Sequence, residues 1–112
     1  MSDEILLDGI IAELKRGTQI LAVLSQLKDT QYGYSLLQRL EELHVAIEAG
    51  TLYPLLRRLE SQGFLQSEWD TTESRPRKYY LLSPAGLAAY QQLKTAWHGV
   101  VQEMDILMKE KE

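Results

Sequence analysis

The feature that constrains this chain most is a change in its apolar period. Up to Gln62, apolar residues recur at every third and fourth position, as one face of a helix requires. From Phe64 to Leu82 they do not, and aromatic and aliphatic side chains gather instead into two short runs.

Four helical segments precede the change. Leu7, Ile10, Ile11 and Leu14 mark a stripe on a first helix from about Ile5 to Lys15. Gly17-Thr18 breaks it, with Thr18 the expected N-cap of the next. That second helix carries Ile20, Leu21, Val23, Leu24 and Leu27, apolar over more than half its circumference, which predicts a central place in the core. A third helix carries Tyr34, Leu36, Leu37, Leu40 and Leu43, and the stretch from His44 to Ala49 reads as a turn. The fourth spans about Glu48 to Gln62, with Leu52, Leu55, Leu56 and Leu59 on one face and Gly63 where a C′ residue ends it.

The two runs after the change, 64–69 and 77–82, flank a polar loop from Asp70 to Pro76 and predict a β-hairpin. Ser83-Pro84 then signals another helix start, for a helix that runs to about Lys109, roughly 39 Å at 1.5 Å per residue. The predicted fold class is mostly α with a small β-hairpin. It comprises a winged helix-turn-helix domain over residues 1–83, its N-terminal helix included, and a long C-terminal dimerisation helix over 84–112. In that arrangement the second helix of the pair enters the DNA major groove.

Composition decides which partners stay open. A chain of 112 residues has room for one domain and an appended helix. Without cysteine there is no disulfide, thiolate metal site or cysteine nucleophile. The acidic start, Met1-Ser2-Asp3-Glu4, lacks the basic region of a secretory signal, and no apolar run approaches the ~18 residues of a membrane span. The expectation is a cytoplasmic protein with no membrane partner. A net charge of −4 counts against nucleic acid until its distribution is considered. Residues 30–82 hold six basic against seven acidic side chains, and five of the six basic ones fall at 57–58 and 75–78. A local basic surface on an acidic protein is therefore feasible.

An enzyme is not expected. The chain has no glycine-rich phosphate loop, no paired carboxylates in an apolar setting and no nucleophile motif, so no catalytic residue and no cofactor are assigned. Metal sensing needs clustered ligands, but His44 and His98 lie on separate elements, so no metal site is assigned either.

The residues that would touch DNA lie on the fourth helix and the hairpin. Opposite its leucines, the fourth helix presents Thr51, Tyr53, Pro54, Arg57, Arg58 and Ser61. Thr51 and Tyr53 suit base edges; Arg57 and Arg58 suit phosphates. The plainer alternative is an amphipathic surface helix with solvated arginines. Arg75, Arg77 and Lys78 are expected at the wing tip, for phosphate or minor-groove contact, against the alternative of a solubilising loop. The third helix starts near Tyr32-Gly33-Tyr34, where backbone N–H groups suit a phosphate, while Tyr34 is expected to pack in the core. Tyr79 and Tyr80 point to opposite faces of their strand, and which is buried is left open.

These runs carry a family resemblance. Tyr32-Gly33-Tyr34, then Gly50-Thr51-Leu52-Tyr53-Pro54-Leu55-Leu56-Arg57-Arg58-Leu59-Glu60, then Gly63-Phe64, and Pro76-Arg77-Lys78-Tyr79-Tyr80-Leu81-Leu82-Ser83-Pro84-Ala85-Gly86 resemble the PadR family, named for the phenolic acid decarboxylase regulator. The resemblance covers nearly the whole chain and extends to the short subfamily with a single C-terminal helix. It implies a winged-helix homodimer, commonly a repressor that binds a palindromic operator and is released by a ligand. Two positions depart from the pattern. Glu48 stands where a small polar cap is frequent, and Ser74-Arg75 where glycines are, which makes Arg75 the weakest carry-over.

In the last helix Tyr90, Leu93, Trp97, Val100, Met104 and Leu107 recur at alternating spacings of three and four, a heptad seam. With Leu7, Ile11 and Leu14 of the first helix, they are assigned to a dimer interface, against a helix folded back on its own domain. Trp97 and its symmetry mate would meet near the dimer axis, where a planar aromatic effector fits between indoles. The plainer alternative makes Trp97 interface core. The functional expectation is a sequence-specific DNA-binding transcriptional regulator, a ligand-responsive repressor acting as a homodimer on a DNA operator. The competing expectation is a winged-helix protein-interaction module without specific DNA binding.

Overall fold

Residues 3–109 are described in a computed structural model of the chain. Their order is α1 (Asp3–Arg16), α2 (Gln19–Gln26), β1 (Gln31–Tyr32), α3 (Gly33–Glu42), α4 (Ala49–Ser61), β2 (Leu65–Asp70), β3 (Arg77–Leu82) and α5 (Pro84–Met108). The four helices, the hairpin and the long last helix lie within a residue or two of their sequence boundaries.

The core is built from leucines at helical spacing. α4 buries Leu52, Leu55, Leu56 and Leu59; α3 contributes Leu36 and Leu40; α2 contributes Val23 and Leu24, with Leu27 just beyond it. Leu65 and Tyr80 of the sheet and Tyr90 of α5 close this cluster. Burying each leucine stabilises the fold by about 1.5–3 kcal/mol, so the helix pair α3–α4 is held by its inner face and left free to present its outer one.

Two helix ends share one hydrogen-bond pattern. After α4, the N–H of Gly63 donates to the Glu60 carbonyl (3.0 Å) and that of Phe64 to the Leu59 carbonyl (2.9 Å), with Gly63 at φ 86°. After α3, the N–H of His44 donates to Glu41 (3.0 Å) and that of Val45 to Leu40 (2.8 Å), with His44 at φ 62°. Both are Schellman endings, which place the C′ residue in the left-handed region. Gly63 takes that conformation freely; His44 takes it at a cost of about 1 kcal/mol.

The sheet departs from expectation by one strand. Gln31 and Tyr32 pair antiparallel with Tyr80 and Tyr79, so the order is β1-β3-β2 and β3 is central. In the hairpin Asp70 lies opposite Arg77, Glu68 opposite Tyr79 and Ser67 opposite Tyr80. One face therefore carries Tyr32, Glu68, Asp70, Arg77 and Tyr79, and the other carries Ser67, Trp69, Lys78 and Tyr80. Tyr80 is the buried tyrosine (6 % exposed), and Tyr79 is half-buried with its hydroxyl donating to Glu68 Oε2 at 2.6 Å.

Two local expectations need correction, and the departure noted at Glu48 is seen in the structure. Thr18 is the N-cap of α2 in position, its carbonyl accepting from the Ala22 N–H (3.0 Å), but its torsions are αR and its side chain caps no N–H of α2; the hydroxyl donates back to the Lys15 carbonyl (2.7 Å). Tyr34 is 65 % exposed and outside the core, its hydroxyl accepting from Gln38 one turn on (3.2 Å). Glu48 is the N-cap of α4 in position but offers no side-chain hydrogen bond to its N–H groups.

α5 starts as anticipated. The Ser83 hydroxyl accepts from the Gly86 N–H (2.9 Å) and donates to the Gly63 carbonyl (2.7 Å), tying the helix start to the end of α4. A Cβ on Gly86 would fall 1.9 Å from the Phe64 carbonyl oxygen, so only glycine allows this approach. The first turns of α5 pack on the domain, and Tyr90 is only 7 % exposed there. Beyond it the apolar residues of the helix are exposed, and the molecule measures 63 Å along its longest axis.

Candidate nucleic-acid interface

The outer row of α4 consists of Gly50, Thr51, Pro54, Arg57, Arg58 and Ser61, all exposed. Tyr53 stands apart from them. It is half-buried, and its ring lies over Gly33 so closely that a Cβ there would meet Tyr53 Cε1 at 2.7 Å. The ring of Tyr53 in α4 thus takes its place against the start of α3 in space that a side chain at residue 33 would occupy.

A cleft of about 690 Å³ is lined by Tyr32 of β1, Tyr34 of α3 and Tyr53 of α4, together with Arg75, Arg77 and Lys78 of the hairpin. The structure separates the three wing cations. Arg75 alone belongs to the loop and is exposed; Arg77 and Lys78 are the first residues of β3 and point to opposite faces.

Arg77 lies over the ring of Tyr32 at 4.3 Å and reaches Glu73 Oε1 at 3.5 Å. Tyr32 in turn donates its hydroxyl to Asp70 Oδ2 (2.6 Å) and meets the Tyr79 ring edge-on at 6.0 Å. Asp70 Oδ1 accepts from the Thr72 hydroxyl (2.7 Å) and N–H (3.0 Å). The Tyr32 hydroxyl first, then Thr72, hold the Asp70 carboxyl at about 2, below its ordinary value of 3.8. The same hydrogen bond raises the Tyr32 phenol above its ordinary range. Tyr32, assigned from sequence to the DNA-touching set, is thus the base on which Arg77 rests.

Lys78 turns inward. Its Nζ donates to Glu60 Oε1 of α4 at 3.1 Å and lies 5.4 Å from the Tyr80 ring centroid and 6.0 Å from that of Trp69. Glu60 also accepts a short hydrogen bond from the Ser67 hydroxyl of β2. That bond first, and then Lys78, lower the Glu60 carboxyl, while Glu60 raises the Lys78 ammonium. Glu60 escaped the sequence reading because a carboxylate beside two arginines looks like ordinary surface charge. Its one signal is its place at the end of α4, within reach of a hairpin that packs on that helix.

Among the described residues, no ion pair forms at Arg57, Arg58 or Arg75. A second cleft, about 530 Å³, lies on the other side of α4 and is lined by Arg16, Gly17, Gln19, Thr51, Pro54 and Arg58 among others. Sequence reading passed over Arg16 and Gln19, since nothing local brings the α1–α2 junction to α4. Also among the described residues, no cluster of side chains is placed to hold a metal ion, and no helix is long and apolar enough to cross a membrane.

The residues assigned to a dimer interface divide. Tyr90 belongs to the core of its own domain. Leu93, Trp97, Val100, Met104 and Leu107 of α5 are exposed, as are Leu7, Ile11 and Leu14 of α1, a helix none of whose residues is buried.

Known proteins resemble this chain in sequence and in shape. The family model described as "Transcriptional regulator PadR-like family" matches residues 20–92. A transcriptional regulator of Mycobacterium tuberculosis is 34% identical over 93 residues, covering 82% of this chain and 87% of that protein. The crystal structure of a PadR family transcriptional regulator from Eggerthella lenta is 42% identical, with a TM-score of 0.92 over 96% of both chains. A transcriptional regulator from Clostridium thermocellum is 27% identical, with a TM-score of 0.77 over 87% of this chain and 99% of that one. These relatives are transcriptional regulators and not enzymes.

Proposed function

The chain belongs to the PadR-like family of transcriptional regulators, and from that footing we propose that it is a cytoplasmic, ligand-responsive repressor acting as a homodimer on a palindromic operator. The observation that carries this reading is the pair of uncovered apolar stripes. Leu7, Ile11 and Leu14 line α1, and Leu93, Trp97, Val100, Met104 and Leu107 line the projecting part of α5. Stripes of this length in water call for a partner surface, and a second copy supplies the same two helices by symmetry. The division of labour is then a DNA-reading unit over 1–83 and a dimerising helix over 84–112.

In the dimer, the outer row of α4 enters the major groove. Thr51 and Tyr53 face base edges, and Pro54 faces apolar groups such as a thymine methyl. Arg57, Arg58, Arg75 and Arg77 lie against phosphates on either side. Two recognition helices about one turn of DNA apart account for a palindromic operator. Trp97 and its mate near the axis form the seat of a planar aromatic effector, whose binding favours a spacing of the two wings unsuited to DNA.

Sedimentation and DNA titration test this together. The full chain should sediment as a dimer and bind duplex DNA through ~6–8 phosphates, with a log K against log salt slope of roughly −5 to −7. Leu93→Glu with Val100→Glu should give a monomer that has lost operator affinity. Planar aromatics should quench Trp97 fluorescence saturably and weaken DNA binding. A dimer that binds no duplex at low salt would instead indicate a protein-interaction module.

A further inference from the structure

We propose that the cleft between the α1–α2 junction and α4 is a second DNA-backbone clamp, in which Arg16 and Arg58 grip one phosphodiester on the side of α4 away from the wing. The proposal rests on the reading of α4 as the DNA-contacting helix and extends the interface to a part of the chain not otherwise assigned to it.

The argument is one of charge placement. Acidic side chains outnumber basic ones sixteen to twelve in this chain. The wing-side cleft reflects that excess, since Glu73 is among its lining residues and pairs with Arg77. No Asp or Glu lines the α1–α2 cleft, yet two arginines 42 residues apart in sequence line it. Neither Arg16 nor Arg58 forms an ion pair among the described residues. Two like charges brought to one cleft without a counter-ion repel one another, and an anion between them removes that cost. The guanidinium fork matches the paired oxygens of a phosphate, and Gln19 and Thr51, residues that carry hydrogen-bond donors, line the same cleft.

The shape selects a polymer backbone over a buried small ligand. Gly17 and Gly50 line the cleft, and a Cβ on either would meet nothing within 4 Å, so the site is an open trough with low walls. Thr51, Pro54 and Arg58 belong both to this cleft and to the exposed row of α4. A duplex whose major groove receives that row therefore brings its sugar-phosphate strand alongside Arg16. Each protomer then holds DNA on both sides of α4, by the wing and by the end of α1.

Fluorescence anisotropy with the full-length chain and a random-sequence duplex, titrated at several salt concentrations, tests the clamp. Arg16→Gln should flatten the log–log slope by about 1 per protomer and weaken binding about tenfold near 0.1 M salt. Arg16→Lys should keep the slope and lose only part of the affinity. Arg16 is exposed, so all variants should melt with the parent. Arg16→Gln combined with Arg58→Gln should cost less than the two single losses together, as expected for two groups on one phosphate. An unchanged slope in Arg16→Gln, with the parent chain binding normally, overturns the clamp and leaves the DNA reading standing. A parent chain that binds no duplex overturns both. Inorganic phosphate at constant ionic strength should displace DNA no better than chloride. Millimolar phosphate binding that depends on Arg16, beside an unaltered DNA slope, would make the cleft a small-anion site and overturn the clamp.

Discussion

Lys78 and Glu60 join the hairpin to α4, Nζ to Oε1 at 3.1 Å, each side chain about two-thirds covered. The pair stands between the two elements proposed to contact DNA, and Ser67 holds the other oxygen of the same carboxylate. A lysine that would serve a phosphate if free serves here to fix the angle between hairpin and helix.

Replacing Glu60 with Gln should therefore act in two directions. It removes a partly covered ion pair worth about 0.2–1 kcal/mol, lowering the melting temperature by a few degrees at most. It also frees Lys78, so non-specific DNA binding at low salt should tighten and its salt slope steepen. Because the Glu60 carboxyl lies below its ordinary value of 4.5, its contribution is present above that pH and lost as pH falls below it. Melting curves from pH 7 to pH 3 on parent and variant should converge at the acid end.

Tyr32→Phe should release Asp70. The parent carboxyl, held at about 2 by the Tyr32 hydroxyl and then by Thr72, contributes stability that is full above the ordinary value of 3.8 and is lost as pH falls from there towards 2. In the variant, a carboxyl ¹³C titration should find Asp70 moved back towards 3.8. Unmoved titration would mean that Thr72 alone holds the carboxylate.

Two glycine substitutions should separate binding from folding. In Gly33→Ala the new methyl meets the Tyr53 ring edge, which can swing aside, so stability should fall little while operator affinity falls several-fold. In Gly86→Ala the methyl meets the Phe64 carbonyl oxygen, which cannot move without displacing the start of β2. That variant should lose about 2–3 kcal/mol in urea unfolding.

His44→Gly should stabilise the chain. The residue sits at φ 62° in the C′ position of a Schellman ending, where Gly63 is found at the end of α4. Relief of the left-handed strain should add about 0.5–1 kcal/mol, read as a higher urea midpoint with an unchanged m-value.

Features set by near neighbours along the chain were legible in the sequence. The leucine spacing of α4, the left-handed Gly63, the Ser83-Pro84 helix start and the change of period after Gln62 each depend on contacts within four or five residues. Alternation along β3 likewise requires Arg77 and Lys78 to part, although their common charge invites grouping them. Tertiary structure alone decided which long-range neighbour each side chain met. β1 is two residues long and exists because Tyr79 and Tyr80 lie beside it. Tyr34 and Tyr90 exchange their expected places because α3 turns one tyrosine to solvent while the domain covers the first turns of α5. Arg16 and Arg58 share a cleft only because the closed core brings the α1–α2 junction beside α4. Local patterns fix backbone torsions and faces; distances between faces depend on how the whole core closes, and charge pairing follows those distances.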